Sequence, residues 1–217
     1  MDFLTARQNM IDCQLRPNKV NDDEILARFL DVPREMFVDA AAHEVAYVDQ
    51  AVDIGHGRVM YSPMVAARLV EVMAPQQTDQ VLVVAAGTGY TTALLAPMVE
   101  YVVAVEENAY LMDIGRKAHS DLHLKNIKWV KDKPEKGCKA HAPYDCIILD
   151  AAAEVVPENL VQQVKDGGRL IGVIKGQDGL YQLTVATRRG QTMFTETVFE
   201  TPGVTLSNFK QPERFVF

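Results

Sequence analysis

Three residues in the middle of the chain have the types and the spacing needed to hold a nucleoside. Gly87 and Gly89 follow directly after a run of apolar residues, and Glu106 ends the next apolar run, nineteen positions after Gly87. Glycines in a strand-to-helix turn let a ligand approach the backbone, and the helix that follows offers unpaired N–H groups. A carboxylate at the second position can accept hydrogen bonds from both ribose hydroxyls. The alternative interpretation is a helix-opening turn beside a solvated glutamate.

The same turn favours one kind of nucleoside over another. A dinucleotide fingerprint has a third glycine where the helix packs on the strand, and that position here is Thr92. A pyrophosphate also needs a helix N-terminus that faces it. S-adenosylmethionine carries no phosphate and needs only a site for adenosine, ribose and an amino-acid group. The sequence therefore favours a methyl donor.

The segments that must position these residues alternate between strand and helix. Strands that are apolar on both faces and alternate with helices predict a mainly parallel sheet covered on both sides. Two consecutive β segments near the end, joined by a turn at 189–191, predict an antiparallel hairpin. We predict strands at 81–85, 101–105, 127–130, 146–149, 169–174 (after a turn at Gly167-Gly168), 181–187 and 193–199, and helices at 64–73, 90–98, 109–122 and 157–164.

Residues 1–60 differ from this pattern. They predict short helices at 7–13 and 24–30, a helical turn that opens at Val32, and a glycine-rich, strand-poor stretch at 54–58. We interpret residues 1–60 as a helical arm or lid. Residues 61–217 are then an α/β domain, and we expect the two parts to form one compact unit because no linker composition separates them.

Composition narrows the class of protein further. The 217 residues carry a net charge of −7 (29 Asp and Glu against 22 Lys and Arg), which argues against nucleic acid as a partner. The longest apolar stretch, 81–86, is far below the roughly 20 residues of a membrane span, and the start lacks the pattern of a signal peptide. Three cysteines without C-x-x-C spacing indicate free thiols and a cytoplasmic location. His119 and His123 are four apart, but no further ligand signature supports a metal site.

The chain resembles the protein-L-isoaspartate O-methyltransferase family along nearly its whole length. The similar segments are 32–38, 46–57, 62–69, 82–96, 142–148 and 167–170. The resemblance implies a Rossmann-like, seven-stranded methyltransferase sheet with a C-terminal antiparallel hairpin, S-adenosyl-L-methionine as cofactor, and a protein or peptide substrate that contains isoaspartyl residues. It implies donor contacts from Ala85, Ala86, Gly87, Thr88, Gly89, Glu106, Glu107, Asp132 and Lys133, the last two where the family has Gly-Asp.

This sequence departs from the family pattern at positions near the expected site. Tyr61, followed by Ser62, stands where the family has a serine, and either residue could supply a hydroxyl. Val83 replaces an acidic residue that helps to hold the donor's amino group, and Ala85 replaces the first glycine of the turn. Asp150 replaces a threonine. We therefore expect Tyr61, Ser62 and Asp150 to surround the acceptor.

These departures leave three hypotheses. A carboxylate acceptor is already an anion at pH 7 and needs no general base, so an isoaspartyl carboxyl methyltransferase can lack an obvious acid–base residue. Asp150, if it faces that acceptor rather than solvent, would repel it by roughly 1–4 kcal/mol at ~4 Å, which favours a methyltransferase with another acceptor. The loss of the acidic residue at Val83 favours a non-catalytic binding protein on the same fold. The C-terminal aromatic segment, 209–217, is expected to dock on the core; the alternatives are a strand for self-association or a peptide-binding edge.

Overall fold

The computed structural model describes residues 2–211, and within them helices and strands alternate as the sequence predicts. The helices are α1 (Phe3–Met10), α2 (Asp23–Asp31), α3 (Pro63–Met73), α4 (Tyr90–Leu95), α5 (Ala109–Asp121) and α6 (Glu158–Val161). The strands are β1 (Val52–Asp53), β2 (Val59–Met60), β3 (Gln80–Val84), β4 (Tyr101–Glu106), β5 (Ile127–Lys131), β6 (Tyr144–Ala153), β7 (Val164–Lys175), β8 (Tyr181–Arg189) and β9 (Thr192–Glu200).

Strands β3 to β9 form one seven-stranded sheet in the order β5-β4-β3-β6-β7-β8-β9. The pairs from β5 to β7 are parallel, and β7-β8 and β8-β9 are antiparallel. The predicted parallel sheet and its C-terminal hairpin are therefore confirmed. Residues 81–84 of the central strand β3 are fully buried with helices on both faces, which explains why this strand is a continuous apolar run in the sequence.

Two predicted boundaries of elements are wrong, and both lie near the bulge in the pairing of β6 with β7. The Gly167-Gly168 pair does not precede the strand but lies inside β7, where the register to β6 shifts between Tyr144 and Cys146. Gly167 adopts a left-handed φ of 79°, which suits a bulge and is easily reached by glycine. The helix predicted at 157–164 is only the short α6, because Val164 already pairs with Tyr144 as the first residue of β7.

The N-terminal arm packs directly against the sheet domain. Phe29 and Phe37 are fully buried and contact the ring of Tyr90 edge-on, with centroids 6.2 and 5.4 Å away. The arm and one face of the sheet thus share a single hydrophobic core. The stretch 54–58, predicted to be poor in strands, is the turn of a small hairpin whose strands β1 and β2 flank it and pair antiparallel through Val52 and Met60.

The end of the described chain is also docked. Phe209 is buried, and its carbonyl accepts hydrogen bonds from the N–H groups of Glu154 and Val155. Most of the aromatic segment predicted at 209–217 lies outside the described residues, which end at 211. Across residues 2–211 no helix combines the length and the apolar character that a membrane crossing requires.

Helix α5 approaches the sheet unusually closely at Gly115. A Cβ atom at this position would lie 2.5 Å from Cζ2 of Trp129 on β5 and 2.6 Å from the carbonyl oxygen of Thr88. Real side chains do not tolerate such distances, and one of the two neighbours is backbone. The glycine therefore sets the distance between α5 and the turn that follows β3.

Gly115→Ala should destabilise the protein by about 2 kcal/mol, because overpacking at a backbone contact outweighs the ~1 kcal/mol by which alanine is the better helix former. Urea unfolding followed by circular dichroism measures this change. Ser120→Ala, at an exposed position of the same helix, is the control and should be neutral or slightly stabilising. Equal stability of the two variants would show that α5 is not held tightly.

Candidate functional site: a cleft at the carboxyl edge of the sheet

The predicted nucleoside-binding residues meet where β3 and β4 end. These strands are parallel and in register, with Val84 opposite Val105, so the residues that follow them lie at one edge of the sheet. The N–H of Gly87 donates a hydrogen bond of 2.8 Å to Oε2 of Glu106. The structure thus brings the glycine turn and the spaced carboxylate together.

The carboxylate of Glu106 is completely buried and fully hydrogen-bonded. Its Oε1 accepts from the N–H groups of Glu107 and Asn108, each at 3.0 Å, in addition to the bond from Gly87 to Oε2. These N–H groups belong to the turn after β4 that leads into α5, whose N-cap is Asn108. The backbone of both turns therefore stabilises a negative charge at this position.

Arg58, from the β1–β2 hairpin, completes the coordination of Glu106. Its Nη1 lies 2.8 and 3.1 Å from the two carboxylate oxygens, and its Nη2 donates to the carbonyl of Ala85. Both side chains of this ion pair are buried, at 6% and 0% exposure. The sequence did not predict this role for Arg58, since an arginine in a glycine-rich loop usually extends into solvent.

The turn residues have different structural roles. Ala85 adopts a left-handed φ of 56°, a conformation that costs a residue with a Cβ roughly 1–2 kcal/mol. Ala86 donates to the carbonyl of Val105, and Thr88 is buried. Gly89 also serves packing: a Cβ there would lie 2.8 Å from both His119 and Trp129, so the absence of a side chain lets α5 and β5 lie close to the turn.

His119 belongs to this packing rather than to a metal site. Its ring stacks on Trp129, its Nε2 lies 2.9 Å from the carbonyl oxygen of Gly89, and its Nδ1 accepts from Trp129. Burial lowers the pKa of His119 to about 4, so the ring is neutral at pH 7. Among residues 2–211 no group of three or more His, Cys, Asp or Glu side chains is placed to hold a metal ion.

Tyr61 and Asp150 lie in the same cleft as the glycine turn. The Tyr61 hydroxyl is buried and has no hydrogen-bond partner within residues 2–211. Asp150, on β6, accepts a 2.8 Å hydrogen bond from the Thr91 hydroxyl, and burial raises its pKa to about 7. Asp150 therefore faces the cleft rather than open solvent. Ser62 lies outside it: its hydroxyl oxygen accepts from the N–H of Val65 and caps α3.

Three predicted donor contacts lie at the rim and do not line the cleft. Glu107 is exposed, and its N–H is used by Glu106. Asp132 follows β5, pairs with Lys136 at 2.8 Å and accepts from the N–H of the exposed Lys133.

Besides Arg58, the prediction missed Ile54 and Thr91, which line the cleft. Ile54 could not be found without knowing that the hairpin folds over the turn.

The cleft contains the polar groups that a nucleoside needs but almost no free space. Its residual volume is about 10 Å³, bounded on one side by Ile54, Val59 and Met60 of the hairpin. The Arg58 guanidinium shows that Glu106 accepts N–H groups from within the cleft, and ribose hydroxyls would use the same oxygens. The residues therefore fit the ribose of a donor, whereas the position of the hairpin excludes it.

A seven-stranded, mostly parallel sheet with a glycine turn after β3 and a buried carboxylate at the end of β4 is the architecture expected of an S-adenosylmethionine-dependent methyltransferase. Residues 5–210 match the family model described as protein-L-isoaspartate(D-aspartate) O-methyltransferase. The protein-L-isoaspartate O-methyltransferase of Aliivibrio fischeri is 35% identical over 198 residues, covering 91% of this chain and 94% of the relative. The chain belongs to the protein-L-isoaspartate(D-aspartate) O-methyltransferase family.

Solved structures agree in fold. A protein-L-isoaspartate O-methyltransferase superposes with a TM-score of 0.81 at 24% identity, covering 94% of this chain and 67% of the other. A putative protein-L-isoaspartate O-methyltransferase from Plasmodium falciparum, in complex with S-adenosyl-L-homocysteine, gives 0.76 at 22% identity, covering 96% and 99%.

Family membership confirms several predictions made from the sequence. The resemblance, the fold class, and the S-adenosyl-L-methionine-dependent carboxyl O-methyltransferase activity with its cofactor are all borne out. The family acts on protein substrates. The roles of individual site residues stay predictions.

Asp150→Asn should remove a pH-dependent loss of stability. The folded-state pKa of Asp150, about 7, lies above its ordinary value of 3.8, so the folded protein binds this proton more tightly than the unfolded chain. The contribution of this proton to the free energy of unfolding is fully present below about pH 4 and is lost as the pH rises through 7. Asparagine keeps the acceptor for Thr91 but does not ionise.

Urea unfolding between pH 5 and 8 tests this expectation. The wild-type protein should lose stability across this range more steeply than Asp150→Asn. Asp113→Asn, which changes an exposed aspartate of α5, is the control and should follow the wild-type slope. Parallel pH profiles for wild type and Asp150→Asn would contradict the raised pKa.

Proposed function

We propose that this protein transfers the methyl group of S-adenosyl-L-methionine to the carboxylate of isoaspartyl residues in proteins or peptides. The observation that supports this most strongly is the buried carboxylate of Glu106, which three backbone N–H groups hold next to the turn at Gly87. That arrangement occurs in a chain that matches a curated relative named for this activity over nine-tenths of its length.

The residues divide the work between binding and positioning. The donor supplies an electrophilic methyl group, and an acceptor carboxylate attacks it without a general base. Glu106 holds the ribose, and the backbone of 85–89 borders the donor. The Tyr61 hydroxyl, which has no partner within residues 2–211, is free to donate a hydrogen bond to the acceptor. Orientation and exclusion of water then supply the catalysis.

The remaining predicted residues have positions consistent with secondary roles. Glu107, Asp132 and Lys133 lie at the ends of β4 and β5, where they border the donor's entrance. Ser62 begins α3 and lines an open groove of about 490 Å³ that also includes Tyr61, on the side from which a peptide would reach the cleft. We propose that residues 1–60 act as a lid on the domain formed by 61–217.

We infer the cellular setting from the cysteines. Cys13, Cys138 and Cys146 are all free thiols in the structure, and burial raises the pKa of Cys146 to about 12, which makes it unreactive. This pattern supports a cytoplasmic location. The net charge of −7 supports a protein or peptide rather than nucleic acid as the partner.

A pair of matched peptides tests the proposed reaction. With donor labelled in its methyl group, the wild-type protein should methylate a peptide that contains one isoaspartyl residue and not the same peptide with ordinary aspartate. Glu106→Gln should reduce the rate by tenfold or more, because a neutral amide accepts the ribose hydroxyls less well and disturbs the N–H groups around it. Incorporation into neither peptide would refute the assignment of the acceptor.

A second candidate function rests on Asp150. When ionised, this carboxylate would repel an acceptor carboxylate in the same cleft but would tolerate a neutral hydroxyl or an amine. The alternative is thus a methyltransferase of the same fold with such an acceptor. The hydrogen bond from Thr91 and the nearby Arg58 favour the ionised form of Asp150, while burial and Glu106 disfavour it.

The pH dependence of the reaction separates the two candidates. If the acceptor is an isoaspartyl carboxylate, methyl transfer should be faster at pH 6, where Asp150 is protonated, than at pH 8, where it repels the substrate. Asp150→Asn should abolish this difference. Initial rates with the isoaspartyl peptide at both pH values give the measurement. A wild-type rate that rises with pH, with label transferred to amine-containing peptides, would favour the second candidate.

A further inference from the structure

The β1–β2 hairpin occupies the part of the cleft that a donor needs. Gly87 has no side chain, and the hairpin fills the position that one would take: a Cβ there would lie 3.0 Å from Cδ1 of Ile54 and 3.8 Å from Nη2 of Arg58. Arg58 also binds both oxygens of Glu106. The hairpin therefore covers the turn and binds the carboxylate at the same time.

Arg58 and a ribose compete for the same hydrogen-bond acceptors. Three backbone N–H groups already bind Glu106, and the guanidinium takes up the acceptor capacity on the cleft side. A carboxylate offers about four lone-pair positions, so while Arg58 is bound too few remain to accept hydrogen bonds from both ribose hydroxyls. Binding of Arg58 and binding of the donor at Glu106 are therefore mutually exclusive.

We propose that the β1–β2 hairpin is a latch and that Arg58 is an internal competitor for the donor, so that the hairpin must lift away from Gly87 before S-adenosylmethionine binds. This inference rests on the proposed function, because it assumes that the donor's ribose binds Glu106. It adds that the unliganded protein holds its own donor site closed.

The way the hairpin is attached allows it to move. β1 and β2 form a separate two-stranded sheet and make no strand pairing with the seven-stranded sheet. Its internal bonds join Ile54 N–H to the carbonyl of Arg58, at 3.0 Å, and Arg58 N–H to the carbonyl of Gly55, at 2.9 Å. Lifting the hairpin therefore breaks the Arg58 contacts, the ring contact of His56 with Tyr110 on α5 and the packing of its apolar residues, but no hydrogen bond of the main sheet.

Space for this movement exists on the outer side. The turn at 55–57 is exposed, and an open groove of about 670 Å³ borders the hairpin at Val52, Ile54 and Gly55. The opposite wall of the groove is formed by the arm, including Val45 and Val48, whose side chains are partly exposed. Apolar residues of the hairpin that leave the cleft can thus contact apolar residues of the arm.

Calorimetry with S-adenosyl-L-homocysteine tests the competition. A ligand that binds a minor open state has its apparent Kd raised by the reciprocal of the open fraction. Arg58→Gln removes the ion pair and should lower the Kd at least tenfold relative to wild type. Arg58→Lys, which keeps the charge but loses the planar fork, should lie between them. Arg116→Gln, on the exposed face of α5, is the control and should bind as wild type does.

Hydrogen exchange on the wild-type protein tests the movement without any substitution. The amides of Ile54 and Arg58 are hydrogen-bonded within the hairpin, and the side chains of both residues are buried. If the hairpin lifts, saturating S-adenosyl-L-homocysteine should increase exchange in a peptide that covers 52–60. The peptides of β3 and β4 should exchange as slowly as before, or more slowly.

The outcomes separate the latch from the proposed function. Equal Kd values for wild type and Arg58→Gln, together with unchanged or slower exchange at 52–60, would overturn the latch even if isoaspartyl peptides are methylated. Tighter binding by Arg58→Gln with no methylation of those peptides would support the latch and refute the acceptor. No binding by wild type or by either Arg58 variant would overturn both.

Discussion

A carboxylate buried without access to water must be surrounded by hydrogen-bond donors, and Glu106 imposes this requirement on the whole carboxyl edge of the sheet. An uncompensated charge at such a position costs several kcal/mol. The turn after β3 has to bring the N–H of Gly87 within 2.8 Å, and the start of α5 has to present two further N–H groups. The remaining side is supplied by Arg58 from a distant segment. The positions of both turns and of the hairpin thus follow from one side chain.

The parts of this arrangement that the sequence predicts are those encoded locally. Buried strands such as β3 are continuous apolar runs, and the spacing of Gly87 and Glu106 follows from a strand, a turn and a helix of ordinary length. Arg58 is 48 positions from Glu106, and nothing near it in the chain indicates that its loop folds back over the cleft. For the same reason the packing role of Gly89 cannot be predicted locally, because its neighbours, His119 and Trp129, come from α5 and β5.

Three departures from the family pattern have one physical feature in common, although Val83 does the reverse: they place larger or charged groups where the expected residues are small or neutral. Ala85 adds a methyl group at a left-handed position of the turn, Tyr61 adds a phenol in place of a short hydroxyl, and Asp150 adds a carboxyl group. Tyr61 and Asp150 line the cleft, whose free volume is about 10 Å³. The closed hairpin and these substitutions are therefore parts of one tightly packed arrangement.

Electrostatics connects the hairpin to the acceptor side of the cleft. With the hairpin closed, the Arg58 guanidinium lies near two acidic side chains, Glu106 and Asp150, and it lowers the pKa of Asp150 while burial and Glu106 raise it. When the hairpin lifts, two effects on the Asp150 pKa change together: water enters the cleft, which favours the ionised form, and the Arg58 cation leaves, which favours the protonated form. A protonated Asp150 does not repel a carboxylate and can donate a hydrogen bond to it. The movement of Arg58 that opens the donor site therefore also changes the charge balance on the acceptor side of the cleft.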